Sequence, residues 1–364
     1  MQFTSGFDYN QLGKSISKIN WWWVVAAAGT NLVSFAFEAL QLVFLSSAIC
    51  KKLGFWRAMQ VYFVGNFFSN ASPSTSGGEP MQIYFLQDDG FTIAESTVMV
   101  MIRGLISIMV RLVFVIVIVV AVVAFGFQMT MSKVMDLIFY ITLLGYMVLF
   151  FVGLFCIIYP TMFAFIVRFL SKFRWVRKLM KVETKEECLD KGIHFLLEIR
   201  SAAMLLLKGR KWHIALAIAN SIITWTMLKT MPFFAMLALG ESPNIFAVFA
   251  IGVISQLATA WVPTPGAVGG IEVGMQLFGT LMLYPDSNIG IFVLIYRFMD
   301  YHMDVAIGGP VALSLLFRKL GKGAANKDLS QITGKIEEQM DLEKEHELSK
   351  HSMEYTQQSQ SMER

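Results

Sequence analysis

Apolar runs close to the length that crosses a bilayer recur along this chain, separated by polar punctuation. The first covers residues 21 to about 45 and opens on Trp21-Trp22-Trp23, rings suited to the headgroup level. Others cover about 105–127, 136–159, 212–239 and 288–317. Two shorter apolar pairs lie between them. Residues 58–71 meet the break Asn70–Pro80 and return through 81–87 to Gln87-Asp88-Asp89, and residues 245–262 and 267–284 flank a second break. Irregular backbone at membrane depth is tolerated only inside protein or along a cavity, so each pair is expected to be a re-entrant helical hairpin.

The two breaks share a pattern. The first carries Pro73, Gly77, Gly78, Glu79 and Pro80; the second carries Pro263, Pro265, Gly266, Gly269, Gly270 and Glu272. Each is followed, at nearly the same distance, by an arginine in an apolar helix, Arg103 and Arg297. Interrupted hydrophobic segments at matching places in two halves point to a transporter site at the bilayer midplane. The expected fold is an all-α integral membrane protein, a polytopic helical bundle with two re-entrant hairpins in an inverted repeat. Its divisions are a polar segment 1–20, a transmembrane domain 21–320 (repeat one about 21–159, basic loop 160–211, repeat two about 212–320) and a polar tail 321–364.

Composition agrees: 55% hydrophobic and 15% charged, against about 25% charged in soluble domains. The distribution of charge sets orientation. Loop 160–211 is rich in Lys and Arg, and Arg318-Lys319 opens the tail, so both are expected on the cytoplasmic side of the cell membrane. Gly126–Lys133 and Gly240–Asn244 then lie outside, and the two hairpins enter from opposite sides. Phe165, Phe169, Phe173, Val176 and Leu179 recur at helical spacing among the loop's charges, as in an interfacial helix or one packed on the protein's own cytoplasmic face. Three scattered cysteines, five histidines without zinc spacing, and a Gly13-Lys14-Ser15 lacking its upstream glycine imply no disulfide framework, metal site or cofactor.

An ionisable group at membrane depth costs roughly 2.5–3.5 kcal/mol on insertion scales, so Glu79, Arg103, Glu272 and Arg297 are read as site candidates. Glu–Arg pairs would hold the hairpins while a lipid phosphate competes for the guanidiniums; a purely structural ion pair is the alternative. The Gly pairs allow tight turns and, at helix N-termini, anion binding, or else only close packing. Asp300 and Asp304 lie one turn apart, near Arg297, as an Arg–Asp clamp or a proton or cation relay. Glu38, Lys229 and Arg111 are charges in apolar segments with no partner legible in the sequence.

From about Trp21 to Leu320 the chain resembles the flippase-type transmembrane domain of the lysylphosphatidylglycerol synthase family, the membrane half of the multiple peptide resistance factor. The residues carrying the resemblance are Asn66, Asn70, Pro73 and Gly77-Gly78-Glu79-Pro80, then Pro263-x-Pro265-Gly266 and Gly269-Gly270-Ile271-Glu272, with Arg103 and Arg297 after them. Met81-Gln82 stands where an arginine often follows the first glutamate. The resemblance implies a membrane phospholipid or lipid-linked substrate moved between leaflets, with no nucleic-acid partner. A homo-oligomer and a separate lipid-modifying enzyme stay open as partners. The family name also implies phosphatidylglycerol lysyltransferase activity. That remains the alternative, as does a lipid-presenting scaffold, since the 321–364 tail is too short for an acyltransferase domain.

Overall fold

A computed structural model describes residues 17–125, 133–179, 182, 184–259, 264–281 and 286–321. Pro263, Gly126–Ser132, most of the N-terminal segment and nearly all of the 321–364 tail lie outside them. The chain divides by internal contacts into Met1–Gly309 and Pro310–Arg364; within the second, residues 310–321 are helical. All that follows concerns the first unit, whose described residues form helices and turns only.

Helix α1 (Trp21–Ala48) begins at Asn20, whose side chain accepts from the Trp22 amide. Helix α2 (Phe55–Ala71), a 3-10 turn Pro73–Thr75 and α3 (Gly78–Leu86) follow. Helix α4 (Ile93–Phe125) starts with a reciprocal cap: Glu95 N donates to Thr92 Oγ1, and Thr92 N to the Glu95 carboxylate. Then come α5 (Lys133–Ile158), α6 (Ala164–Leu170), α7 (Arg174–Leu179), α8 (Lys185–Lys208) and α9 (Lys211–Ala238). Helix α10 (Ile245–Thr259), a 3-10 turn Pro265–Ala267, α11 (Gly270–Leu281) and α12 (Asp286–Arg297) lead into a π turn, Phe298–His302, and further helix.

Four of these helices, α1, α4, α5 and α9, are long and apolar enough to cross a membrane. Their outward faces carry large apolar side chains such as Val120, Tyr140, Leu144 and Phe151, as lipid contact requires. Helices α1 and α9 form the most extensive helix pair, closing over fully buried Ala39 and Ala217. Polar side chains join them: Asn220 donates to the Phe37 carbonyl at 2.6 Å, and Gln41 reaches Ala217 O. Residues 160–211 are chiefly helical, not an open loop. Helix α8 packs against α4, α5 and α6, with Gly192 close on Val167, while Phe165, Phe169 and Phe173 stay exposed. Of the apolar positions at helical spacing, Val176 is buried with Val182 and Cys188.

The α2/α3 pair is drawn together at its open end by Arg57, which binds the Asp89 carboxylate at 2.8 Å and the Phe85 carbonyl. At its closed end Gly78 is required: a Cβ there would press on the Gly65 carbonyl oxygen and the Ser69 hydroxyl. The two Pro-initiated turns, Pro73–Thr75 and Pro265–Ala267, touch each other. Both hold a non-glycine residue at positive φ in the same place, Thr75 at 54° and Ala267 at 50°. Such backbone persists only where surrounding packing enforces it, and it recurs at functional sites.

Candidate functional site

A cavity of about 570 Å³ opens beside the first break. All four long apolar helices wall it, and each contributes from near its middle: Glu38 from α1, Arg111 from α4, Tyr146 from α5 and Trp225 from α9. Helices α2 and α3 and the Pro73–Thr75 turn complete the wall, through Asn66, Thr75, Gly78 and Glu79. Charged and polar side chains are thus gathered within the length of four membrane-length helices.

Two guanidiniums line it in different states. Arg103 is committed: it pairs with Glu38 at 2.5 Å, donates to Gln82 Oε1 at 2.9 Å and lies over the Tyr62 ring. The expected Glu79–Arg103 pair is therefore not formed. Glu38 supplies the counter-charge from α1, and Gln82 serves as acceptor. Arg111, two turns further along α4, has no carboxylate partner among the described residues. It donates to the Tyr146 hydroxyl at 3.0 Å, reaches Ser107 Oγ at 3.5 Å, and is held between the rings of Tyr146 and Trp225. Its Nε is buried without an acceptor. Arg111 is thus a positioned guanidinium with donor capacity to spare, the state in which it takes a phosphate or carboxylate.

Glu79 is exposed, makes no hydrogen bond or ion pair with any described residue, and projects toward Gly104, where a Cβ would stand 3.9 Å from its Oε1. Its counterpart Glu272 is locked. Oε2 accepts from Gly269 N at 2.7 Å, capping α11, and Oε1 binds Arg297 Nε at 2.8 Å. Arg297 is 5% exposed, donates to the Gly266 carbonyl and stacks on Tyr301. Gly266, at φ 59°, has no room for a side chain beneath that same tyrosine. The second break is therefore held by a structural ion pair, whereas the first presents an uncommitted carboxylate to the cavity.

The remaining candidates form a neighbouring polar cluster. The π turn breaks the register that would put Arg297 and Asp300 in a clamp, and Arg297 turns to Glu272 instead. Asp304 accepts from Asn66 at 2.6 Å, and Asn31 donates to the Met299 carbonyl at 2.5 Å. Asn70 Nδ2 and Asp304 Oδ1 are buried with no hydrogen-bond partner. The sequence carries one signal for Arg111: Arg103, Ser107 and Arg111 follow at one-turn intervals and share a face.

Comparison with known proteins bears on this geometry. The sequence profile described as "Lysylphosphatidylglycerol synthase TM region" matches residues 1–308. A UPF0104 membrane protein of Archaeoglobus fulgidus is 22% identical over 310 residues, covering 84% of this chain and 91% of the relative. No solved structure matches.

Proposed function

The chain belongs to the lysylphosphatidylglycerol synthase TM-region family, and from that premise we propose that it moves a phospholipid or lipid-linked amphiphile between leaflets, with the head in the α1/α4/α5/α9 cavity and the tails in lipid. The observation that carries this reading is the position of the cavity. Charged and polar side chains meet along four apolar helices, and one of them, Arg111, lacks a counter-ion among the described residues. Interactions of an anionic head with Arg111 and a second polar or cationic part with Glu79 would replace some of the hydration lost on entering the layer. The touching turns Pro73–Thr75 and Pro265–Ala267 are read as tips of two re-entrant hairpins of an inverted repeat, and alternating access as rocking of one repeat on the other.

Purified protein in proteoliposomes should accelerate exchange of a fluorescent phosphatidylglycerol between leaflets. Exchange at the rate of protein-free vesicles would reject the transport reading and favour a lipid-presenting scaffold. Orientation is tested separately. Single cysteines at Lys185 and Ser242, in a background lacking the native three, should label with an impermeant thiol reagent from opposite sides of the cell membrane, Lys185 from the cytoplasm. Labelling of both from one side would reject the opposed insertion of the two halves.

A further inference from the structure

Behind the cavity wall, carboxamides gather around one carboxylate. Asn66 lines the cavity from α2 and donates Nδ2 to Asp304 Oδ2 at 2.6 Å, a short bond of the kind an ionised acceptor makes. Asn31 on α1 and Asn70 near the end of α2 face the same carboxylate. Asn31 is 3% exposed, and its Nδ2 is spent on the Met299 carbonyl at 2.5 Å. Two atoms of the group are left over: Asp304 Oδ1 and Asn70 Nδ2 are both buried with no hydrogen-bond partner. Such atoms are uncommon in folded proteins and point to a bound water or ion. Asp304 forms no ion pair with a described residue, although a carboxylate at membrane depth must be neutralised. The π turn Phe298–His302 ends two residues before it, and such turns gather at functional sites.

We propose that Asp304, Asn66 and Asn70 form a binding site for a monovalent alkali cation, placed directly behind the headgroup cavity and joined to it by Asn66. The chemistry fits in three respects. The donors are hard oxygens, a carboxylate and carboxamides, which suit hard cations. Asn70 loses nothing by turning its carboxamide about, because Nδ2 has no acceptor where it stands, and the turn puts Oδ1 in its place. One carboxylate balances one positive charge, whereas a divalent ion would leave a net charge in an apolar layer. Asn66 belongs to both sites, so a cation on Asp304 fixes a residue of the cavity wall. Cation and headgroup then favour each other's binding, by the same factor in both directions. The cation site stands apart from the transport reading above; its effect on lipid rests on that reading.

The test is thermal unfolding of the detergent-solubilised full chain in sodium, potassium and choline chloride of equal ionic strength. Wild type should unfold about 2–4 °C higher in sodium than in choline, with a gain that saturates as a bound ligand's does. A like gain in potassium would support the same monovalent site. Asp304→Asn should lose the gain. Asn70→Ala, a second variant should Asp304→Asn not fold, should need roughly tenfold more sodium to reach half of it. Glu198→Gln, which removes an exposed carboxylate on α8, should keep it whole. Short-chain fluorescent phosphatidylglycerol should bind wild type at least about fivefold more tightly in sodium than in choline, and Asp304→Asn equally in both. Equal unfolding temperatures of wild type in all three salts, or a gain unchanged in Asp304→Asn or Asn70→Ala, would overturn the cation site and leave the transport reading intact. A pH-dependent stability in choline that Asp304→Asn abolishes, with no gain in sodium, would give the carboxylate to a proton and overturn the site as well. Equal lipid affinity in both salts would overturn the coupling alone, and no lipid binding in either would count against the transport reading and not against the cation site.

Discussion

Glu272→Ala is expected to lower the stability of the detergent-solubilised protein by about 3–5 kcal/mol, the usual consequence of leaving a buried charge without its partner. Arg297 is nearly inaccessible and would retain only the Gly266 carbonyl and the Tyr301 ring. The same substitution removes the cap on the Gly269 amide, so α11 would lose its N-terminal acceptor as well. Glu272→Gln keeps an oxygen for the amide and most of the shape, and should cost less, about 1–3 kcal/mol, as for loss of a charge-assisted hydrogen bond. Thermal unfolding followed by intrinsic fluorescence measures both. Glu79→Ala is the internal contrast. Glu79 is exposed and unpaired, so its removal should leave stability within about 0.5 kcal/mol of wild type, as for surface substitutions. A Glu272→Ala protein as stable as Glu79→Ala would show that the ion pair does not hold the second break.

That contrast marks how far the sequence could be read. The long apolar helices were legible because a bilayer fixes their length, and α1, α4, α5 and α9 fall where hydropathy puts them. The two breaks were legible because Pro and Gly cluster there together with a glutamate, and the turns Pro73–Thr75 and Pro265–Ala267 both carry a non-glycine residue at positive φ in the same place. Partners were not. Glu79 and Glu272 occupy equivalent places in the motif, yet one faces the cavity unpaired and the other is half-buried and paired with Arg297. The partner of Arg103 is Glu38, which lies in another helix, and no spacing rule connects them. The π turn was equally hidden. It shifts the register after Arg297 and sends Asp300 and Asp304 to different neighbours, although the plain helical pattern would have kept all three on one face.

Arg111→Gln should reduce leaflet exchange of an anionic phospholipid by roughly 10- to 150-fold with little change in stability, corresponding to loss of about 1.5–3 kcal/mol from a charged hydrogen-bonding contact. The separation of the two effects follows from its surroundings. Arg111 is held by the rings of Tyr146 and Trp225 and by hydroxyls, with no carboxylate left unpaired when its charge goes. Glutamine can still donate to the Tyr146 hydroxyl. Arg103→Gln differs in the outcome, because it strands Glu38 in a partly buried site and removes the donor to Gln82. It should lose stability and transport together, so it cannot by itself assign a role in recognition. If both arginines were merely structural, Arg111→Gln would exchange lipid at the wild-type rate in proteoliposomes. If Arg111 meets the phosphate, its loss should weigh most on anionic heads and least on a lipid whose head bears no anion. Comparing the two lipids in the same vesicles therefore tests the contact, and a general slowing of both would point instead to a changed helix movement.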